Sequence, residues 1–431
     1  MARRRAPSGM WTTVTRRRTL AGYKSSPDTT PTDNHSADYA WIRDSTAFEG
    51  LASEAANASR IALDTEFHRE RTYWPNLALL QLQIGNNIYL VDPLEVDVAP
   101  LADALDSNAT FVMHAAAQDL EVLERACGTV PKNLFDTQVA AGFVGMTTPS
   151  LSSLVERYTG VRLPKGDRLT DWLERPLKPN QRDYAANDVR YLFEVHDRLL
   201  ADLKQLNRQD WATTECQRMR DRMKPNVAPE LAWTRIKEAR HLTGKARCVA
   251  ALLAEWRERT AQSRDVPTRF VLSDLALVGI AQRAPRSTSE LKSVRGFDGR
   301  YLKDTNGTEI IELVEKGLAL SPDQLATLEP DESPQLDKDL RAAVTLVSAW
   351  ISQVAKDEAL DPALLATRSD INDFLRGSPN SRLATGWRSD LVGEPIKDLV
   401  EGRAALAFEK AGLVLEQRGN TTFKNKEPFN R

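Results

Sequence analysis

Five residues have types and an order that suit chemistry at phosphorus: Asp64, Glu66, Asp119, Tyr184 and Asp188. The first two lie in IALDTEF, the third in FVMHAAAQDLEVL and the last two in DYAANDVRYL. Each lies in or beside a regular, partly apolar segment, where a charged side chain is costly unless it has a function. Together they predict a site that binds two metal ions and cleaves a phosphodiester bond.

The spacing of the acids indicates how they would share the ions. Asp64 and Glu66 are two residues apart on a predicted strand, so both side chains leave the same face. Two adjacent carboxylates stay ionised when a cation lies between them, and oxygen ligands favour Mg²⁺ or Mn²⁺ over zinc. We expect Asp188 to complete this site and Asp119, near the start of its helix, to hold the second ion.

Tyr184 precedes Asp188 by four residues, which places both on one face of a helix. Its hydroxyl would orient the water that attacks phosphorus. Taken singly, each acid has a simpler interpretation: a solvated strand pair, a surface helix acid for Asp188, or a charge favoured by the helix dipole for Asp119. The order and setting of the whole set favour catalysis.

The composition limits the other classes of function. A chain of 431 residues predicts two or three domains, and its apolar runs, such as LALLQLQI, are too short to span a membrane. Cys127, Cys216 and Cys248 have no C-x-x-C spacing, so they exclude a disulfide framework and a cysteine zinc site and suit a reducing cytoplasm. The formal net charge of −2 leaves nucleic-acid binding open.

The first two segments differ in pattern. Residues 1–38 form a basic tail rich in Ser, Thr and Pro, which predicts disorder, with an organellar transit peptide as the alternative. Residues 39–206 alternate between strand and helix patterns, including a hairpin at Asn86-Asn87. The predicted strands are IALDTEF, LALLQLQI, IYLVD and ATFVMH, and the main predicted helices are 118–126, 136–145, 151–158 and 180–204. This order predicts an α/β domain with a mixed sheet.

The remaining chain has a helical pattern. A charged connector (207–227) leads to a helical stretch (228–318), a linker rich in acid and proline (319–335) and a second helical stretch (336–416), followed by a flexible tail (417–431). Each stretch opens with a helix containing a Trp, then a loop containing a Pro, then a Leu-rich helix. The pattern indicates a duplicated helical module.

Several segments resemble a known family as they stand: DTEFHRERTYWPNLALLQL, FDTQVAA, LTDWLERPL and YAANDVRYL. They are similar to the motifs of the tyrosine-bearing subclass of the DEDD superfamily of 3′→5′ exonucleases, and most similar to those of the ribonuclease D family. The resemblance covers about residues 39–206. It implies an RNase H-like (DnaQ-like) fold, with metal binding by Asp64, Glu66, Asp119 and Asp188 and water positioning by Tyr184.

The helical stretches extend the resemblance. LLAEWRERTAQSRDVPTRFVLSDLALVGIAQRAP resembles the HRDC domain, a helical nucleic-acid-binding module. The 336–416 stretch resembles a more divergent second HRDC-type domain and lacks the Val-Pro signature. The resemblance implies a monomeric cytoplasmic exoribonuclease that trims RNA 3′ ends, with tRNA precursors as the substrate class. A 3′→5′ DNA exonuclease and a non-catalytic RNA-binding protein are the alternatives.

Six residues are candidates to contact a single-stranded RNA end, which proteins hold with basic and aromatic side chains. For Tyr73 and Trp74, packing in the core is an equal alternative. His114 could instead have a structural role, and Lys165 could belong to an ordinary charged loop. The six candidates are His68, Arg71, Tyr73, Trp74, His114 and Lys165.

Overall fold

The computed structural model describes residues 38–164, 170–222, 228–298, 306–320, 340–410 and 412–418. The predicted basic tail, the acidic linker and the C-terminal tail therefore lie almost entirely outside the described residues, and Lys165 lies outside them too. Within the described ranges, no helix combines the length and the apolar character that crossing a bilayer requires.

A mixed sheet forms the centre of the first domain, as the sequence predicted, and it has six strands. The strands are β1 (Ala40–Ile42), β2 (Arg60–His68), β3 (Asn76–Ile84), β4 (Asn87–Val91), β5 (Thr110–Met113) and β6 (Asn133–Asp136). They lie in the order β1-β4-β3-β2-β5-β6. β3 is antiparallel to both β2 and β4, and the other neighbours are parallel.

Two details of the sheet differ from the prediction. Strands β1 and β6 were not predicted, because β1 has only three residues and β6 has only two apolar residues, Leu134 and Phe135, between Asn133 and Asp136. The hairpin turn is Gly85-Asn86, one residue earlier than predicted, since Ile84 pairs with Asn87. Gly85 has a φ of 55°, in the left-handed region that glycine enters without strain.

Helices cover both faces of the sheet. They are α1 (Ser45–Ala56), α2 (Ala102–Leu105), α3 (Ala117–Cys127), α4 (Thr137–Gly142), α5 (Leu151–Thr159), α6 (Pro179–Arg190) and α7 (Leu192–Gln205). Ile61 and Leu63 pack on the side of α1 and α3, whereas Ala62 packs on the side of α4 to α7, since alternate strand residues face opposite ways. The predicted helix 180–204 is two helices, α6 and α7, that meet at Tyr191.

The predicted charged connector is largely a helix, α8 (Gln209–Asp221), which packs against β6 and α4. After it, the described residues of 228–320 form an all-helical unit that we call the helical module. Its core is separate from those of the sheet and surrounds the buried Trp233. Besides two 3₁₀ turns, Pro229–Arg235 and Ala239–His241, it contains α9 (Gly244–Arg264), α10 (Thr268–Val271), α11 (Asp274–Arg283), α12 (Thr288–Lys292) and α13 (Asn306–Ala319).

The C-terminal region begins by repeating the order of α9 to α11: a long helix, a four-residue helix and a third helix. The prediction that it is helical throughout is wrong, because its last part is an antiparallel hairpin of β7 (Ala404–Glu409) and β8 (Gly412–Gln417). Its α-helices of four or more residues are Arg341–Asp357, Pro362–Leu365, Arg368–Leu375 and Glu394–Val400, and the π-helix Ser389–Gly393 leads into the last of them.

This C-terminal region shares one hydrophobic core with the sheet domain, unlike the helical module. Val347 and Ile351 belong to the same cluster as Leu203 of α7. At the contact, Asp361 donates its N–H to the carbonyl of Gly142 at 2.9 Å. A Cβ at Gly142 would lie 2.6 Å from a Leu364 methyl group and 3.3 Å from the Asp361 Cβ, so a larger residue here would require the Leu364 side chain to shift.

A buried ionic network also joins α8 to the C-terminal region. The Arg388 guanidinium, 2% exposed, lies 2.5 Å from the Glu215 carboxylate, and Arg382 lies 3.2 Å from the same group. Burial alone would raise the pKa of Glu215, but the hydrogen bond and charge of Arg388 outweigh it and hold that pKa below its ordinary value. Glu215 is therefore ionised, and its removal would leave a buried arginine without its anion.

We expect Glu215→Gln to lower the free energy of unfolding by about 3–5 kcal/mol, because breaking a buried ion pair strands the other charge. The measurement is urea denaturation followed by circular dichroism. The matched control is Glu394→Gln, which breaks the exposed Lys397–Glu394 pair and should cost less than about 1 kcal/mol. Equal losses in the two variants would contradict this account of the interface.

Candidate active site

Strand β2 presents the first two acids from the centre of the sheet. Asp64 lies opposite Gln81 of β3 and Glu66 lies opposite Leu79, and the pairing shifts register just after Glu66. Both acids lie on the face that Ala62 shares with α6, whereas Ile61 and Leu63 face the other side. β2 is hydrogen-bonded to β3 and β5, which fixes the backbone beneath both carboxylates.

Helix α6 brings the last two predicted residues to the same place. It packs across β2, β3 and β4 through Ala185, Ala186 and Val189. Tyr184 lies one turn before Asp188 and packs near Trp172, with ring centroids 6.1 Å apart. Ligand oxygens of Asp64, Glu66 and Asp188 all lie within 4.8 Å of one another, so the three carboxylates can share one cation.

Asp119 is held in the first turn of α3 and is buried. The Thr65 hydroxyl donates to its Oδ1 at 2.5 Å. The start of α3 is fixed in turn by Asp136, whose Oδ2 accepts the Ala116 N–H at 2.7 Å while its Oδ1 caps α4. The sequence reasoning missed Thr65 and Asp136. Asp136 directly precedes the helical run that starts at Thr137, which is an N-cap signal. This signal indicates that Asp136 caps α4, but not that it also accepts the Ala116 N–H.

Burial and mutual repulsion dominate the electrostatics of these acids. Burial, followed by the charges of Asp119, Asp188 and Glu66, raises the pKa of Asp64 well above its ordinary value. Burial and the neighbouring acids likewise raise the pKa of Glu66 and of Asp188 to about 8. Burial raises the pKa of Asp119 to about 6. Without added positive charge, Glu66 and Asp188 would therefore retain protons near neutral pH, whereas Asp119 would be largely ionised.

The residues present fit a divalent cation. Three carboxylates around one point supply the hard oxygen ligands that such ions prefer, and the ion's charge would offset the repulsion that raises their pKa values. The Gln81 amide, opposite Asp64, is fully buried, and neither its Oε1 nor its Nε2 has a hydrogen-bond partner among the described residues. Such an orphaned amide indicates a missing polar neighbour, for example a water molecule in the loaded site.

Four of the candidate substrate contacts lie in or beside one loop. His68 is half-buried at the end of β2, and Arg71 is exposed. Tyr73 and Trp74 are half-buried against the helical module, where the Tyr73 hydroxyl donates to Glu258 at 2.5 Å. The Trp74 ring also packs under the Arg125 guanidinium, 4.3 Å from the ring centroid. The two aromatic residues therefore join two domains, and their contact with RNA stays a prediction.

His114 is held by a hydrogen bond at the end of β5. Its Nδ1 lies 2.8 Å from the Thr137 hydroxyl, which itself donates to the carbonyl of Met113 at 3.0 Å. Burial lowers the pKa of His114, so its ring is neutral near pH 7. Its contact with substrate stays a prediction, as does that of Lys165.

Comparisons with known proteins agree with this architecture. Residues 39–204 match the 3′-5′ exonuclease family, and residues 246–314 match the HRDC domain family. The chain is 34% identical over 383 residues to a ribonuclease D of Zymomonas mobilis, covering 87% of this chain and 97% of that protein. The chain belongs to the ribonuclease D family. The resemblance to this family and to one HRDC domain is thereby confirmed, whereas the second HRDC-type domain at 336–416 stays a prediction.

Further members of the ribonuclease D family align over almost their whole length. Ribonuclease D of Escherichia coli is 35% identical over 373 residues, which is 84% of this chain and 98% of that protein. Its crystal structure matches with a TM-score of 0.77, at 36% identity, covering 84% of this chain and 99% of that chain. The RRP6 catalytic core of Trypanosoma brucei, at 24% identity and a TM-score of 0.54, shares the fold.

The raised pKa values predict how the stability of the metal-free protein depends on pH. Glu66 and Asp188 bind protons more tightly when folded, with pKa values of about 8, than when unfolded, with ordinary values near 4.5 and 3.8. Their contribution to the free energy of unfolding is therefore fully present below about pH 4 and is lost as the pH rises through about 8. In EDTA, we expect the melting temperature to fall by roughly 3–6 °C between pH 5 and pH 8.5 from this cause.

Two comparisons isolate this effect by differential scanning fluorimetry. Glu66→Gln removes one of the shifted groups, so its melting temperature should fall less over the same pH range. Added Mn²⁺ should raise the melting temperature more at pH 8 than at pH 5, since protons compete with the ion for the carboxylates. A pH profile that is the same in Glu66→Gln and in the unaltered protein would contradict the assignment.

The orphaned Gln81 amide gives a second prediction. Gln81→Leu removes two unpaired buried polar atoms, so the metal-free variant should be more stable by about 1–3 kcal/mol. The ion-induced rise in melting temperature should be smaller in this variant, because the loaded site loses a polar neighbour. Gln83→Leu is the control on the same face of β3, opposite Ala62 and therefore farther along the strand from Glu66. Identical ion responses in the two variants would be evidence against a role for Gln81.

Proposed function

We propose that this chain is a metal-dependent 3′→5′ exoribonuclease that removes 5′-mononucleotides from single-stranded RNA ends. The observation that carries the proposal is the cluster of Asp64, Glu66 and Asp188, with ligand oxygens within 4.8 Å of one another beside the buried Asp119. Burial and repulsion make the ionised form of these acids unfavourable, and a bound cation would stabilise that form. Family membership supports the same chemistry.

Each acid has a distinct proposed role. Asp64, Glu66 and Asp188 would hold one divalent ion, and Asp119 would hold a second, directly or through water. Two such ions supply positive charge that stabilises the attacking and leaving oxygens at phosphorus and makes water more acidic. Thr65 and Asp136 act on Asp119, since Thr65 orients its carboxylate and Asp136 fixes the turn before its helix.

Tyr184 is the proposed positioning group for the attacking water. Its place one turn from Asp188 puts its ring on the same side of α6 as the carboxylate. A phenol keeps its proton near neutral pH, so the hydroxyl acts as a hydrogen-bond donor or acceptor and not as a strong base. The ring packs near that of Trp172, with centroids 6.1 Å apart.

The substrate class and setting are also proposals. The solved Escherichia coli relative is described as an exoribonuclease involved in structured RNA processing. We propose that this chain acts on RNA with a single-stranded 3′ end, with tRNA precursors as the main class. We further propose Mg²⁺ or Mn²⁺ as the ions, a monomeric enzyme and a cytoplasmic location, as the family resemblance and the absence of C-x-x-C spacing suggest.

Substitution of the acids tests the mechanism on 3′-labelled RNA in Mg²⁺. Asp64→Asn and Asp188→Ala should lower kcat by at least about 10³-fold with folding preserved, because each removes a proposed ion ligand. Tyr184→Phe should be milder, about 10²-fold, since it removes water positioning and leaves the ions bound. Full activity of Asp64→Asn would overturn the mechanism.

A matched control and a matched substrate complete the experiment. Glu124→Gln changes an exposed acid on the helix that carries Asp119 and should leave kcat unchanged. A DNA oligonucleotide of the same sequence should be digested more slowly than the RNA. Equal or faster digestion of DNA would favour the alternative of a DNA exonuclease.

A further inference from the structure

The loop between β2 and β3, residues 69–75, is held by contacts from two domains. At its start, the Arg69 guanidinium makes a bidentate pair with Glu121 of α3, at 2.7 and 2.8 Å. The carbonyl of Glu70 accepts a hydrogen bond from Arg269 of the helical module at 2.9 Å. Within the loop, the Thr72 hydroxyl donates to the carbonyl of Trp74 at 2.7 Å. This loop leaves the strand that carries Asp64 and Glu66.

Asp265 of the helical module fixes the other end of the 69–75 loop. Its Oδ1 accepts the backbone N–H groups of both Tyr73 and Trp74, at 3.1 and 3.0 Å. It is the residue directly after α9, and its backbone lies in the left-handed region, with a φ of 47°. The Tyr73 hydroxyl adds two bonds to α9, since it donates to Glu258 and accepts from Gln262 at 3.0 Å.

Arg71 is the remaining cation of this loop. Its side chain is exposed, and it has no hydrogen bond or ion pair with any residue that the structure describes. A cavity of 1480 Å³ between the sheet domain and the helical module is lined by Arg69, Glu70, Thr72 and Tyr73 but not by Arg71. The anchored residues therefore face the helical module, and Arg71 lies outside that contact with its guanidinium available.

We propose that Asp265 is a positioning residue for RNA cleavage: it holds the 69–75 loop so that Arg71 binds a backbone phosphate near the RNA 3′ end. The inference rests on the proposed function. A guanidinium fork matches a phosphate, and a loop already held in place loses little further freedom when it binds. The helical module then supports the catalytic domain by ordering its substrate loop, besides any contact of its own with RNA.

The test uses the full-length enzyme and variants that separate position from charge. Asp265→Gly removes the carboxylate and tolerates the left-handed backbone, so it deletes the two loop contacts with little strain. Asp265→Asn keeps an acceptor oxygen and should retain activity within about twofold. Arg71→Ala removes the proposed phosphate contact, and Arg71→Lys restores a charge without the fork. Each variant is assayed alone, and Asp265→Gly is also combined with Arg71→Ala.

We expect Arg71→Ala to lower kcat/KM for RNA about 10-fold, mostly through KM, and Asp265→Gly to lower it by a similar factor. The double variant should be no worse than Arg71→Ala alone, because Asp265 acts through Arg71. The slope of log kcat/KM against log salt should become shallower by about 0.7 in all three, the value for one phosphate contact on a single strand. Arg71→Lys should recover part of the loss.

Two controls make the outcome decisive. The p-nitrophenyl ester of thymidine 5′-monophosphate has no neighbouring phosphate for Arg71, so all variants should hydrolyse it within about twofold of the unaltered enzyme. Ser273→Ala removes the N-cap bond to the Ala276 N–H in the same module and controls for lost stability; its salt slope should not change.

Losses that multiply in the double variant, parallel losses on the ester, or an Asp265→Gly variant that behaves like Ser273→Ala would overturn the inference. RNA cleavage by Asp64→Asn would instead overturn the proposed function.

Discussion

Four carboxylates held close together in a largely buried site are the constraint on which the catalytic domain depends. Burial, together with the mutual repulsion of the acids, raises the pKa values of Glu66 and Asp188 to about 8, so the metal-free fold opposes the charged state that catalysis needs. The surrounding elements hold the acids in place despite this repulsion, because β2 lies between β3 and β5 and α6 packs across the sheet. The same support would let divalent ions bind to acids that are already in position.

The two regions that follow the catalytic domain are attached by different physical means. The C-terminal region shares a hydrophobic core with α7 and pairs its Arg388 with Glu215 of α8, so its folding is part of the folding of the catalytic domain. The helical module has its own core and meets the 69–75 loop through hydrogen bonds that the loop donates to the carboxylates of Asp265 and Glu258. Polar contacts of this kind fix position while adding little stability.

Local patterns predicted the elements that are long and regular. Strands β2 and β3, with nine residues each, and helix α3 were visible from hydrophobic period alone. The short strands β1 and β6 were not visible, because they exist only through pairing with β4 and β5. The hairpin of β7 and β8 comes after a series of helices in the C-terminal region, and the sequence did not predict it. Whether a segment forms a strand depends on the strand it pairs with more than on its own β propensity.

For the site, the sequence alone determined which acids are present, their order and their place on strand or helix, because these follow from residue type and period. Only the tertiary structure decided which groups meet. The contact of Asp136 with the turn before α3 joins residues 20 apart in the chain, and that of Asp265 with Tyr73 joins residues 192 apart. Tyr73 and Trp74, whose contact with nucleotides stays a prediction, also join two domains. Such contacts depend on how whole elements pack, which a local pattern does not encode.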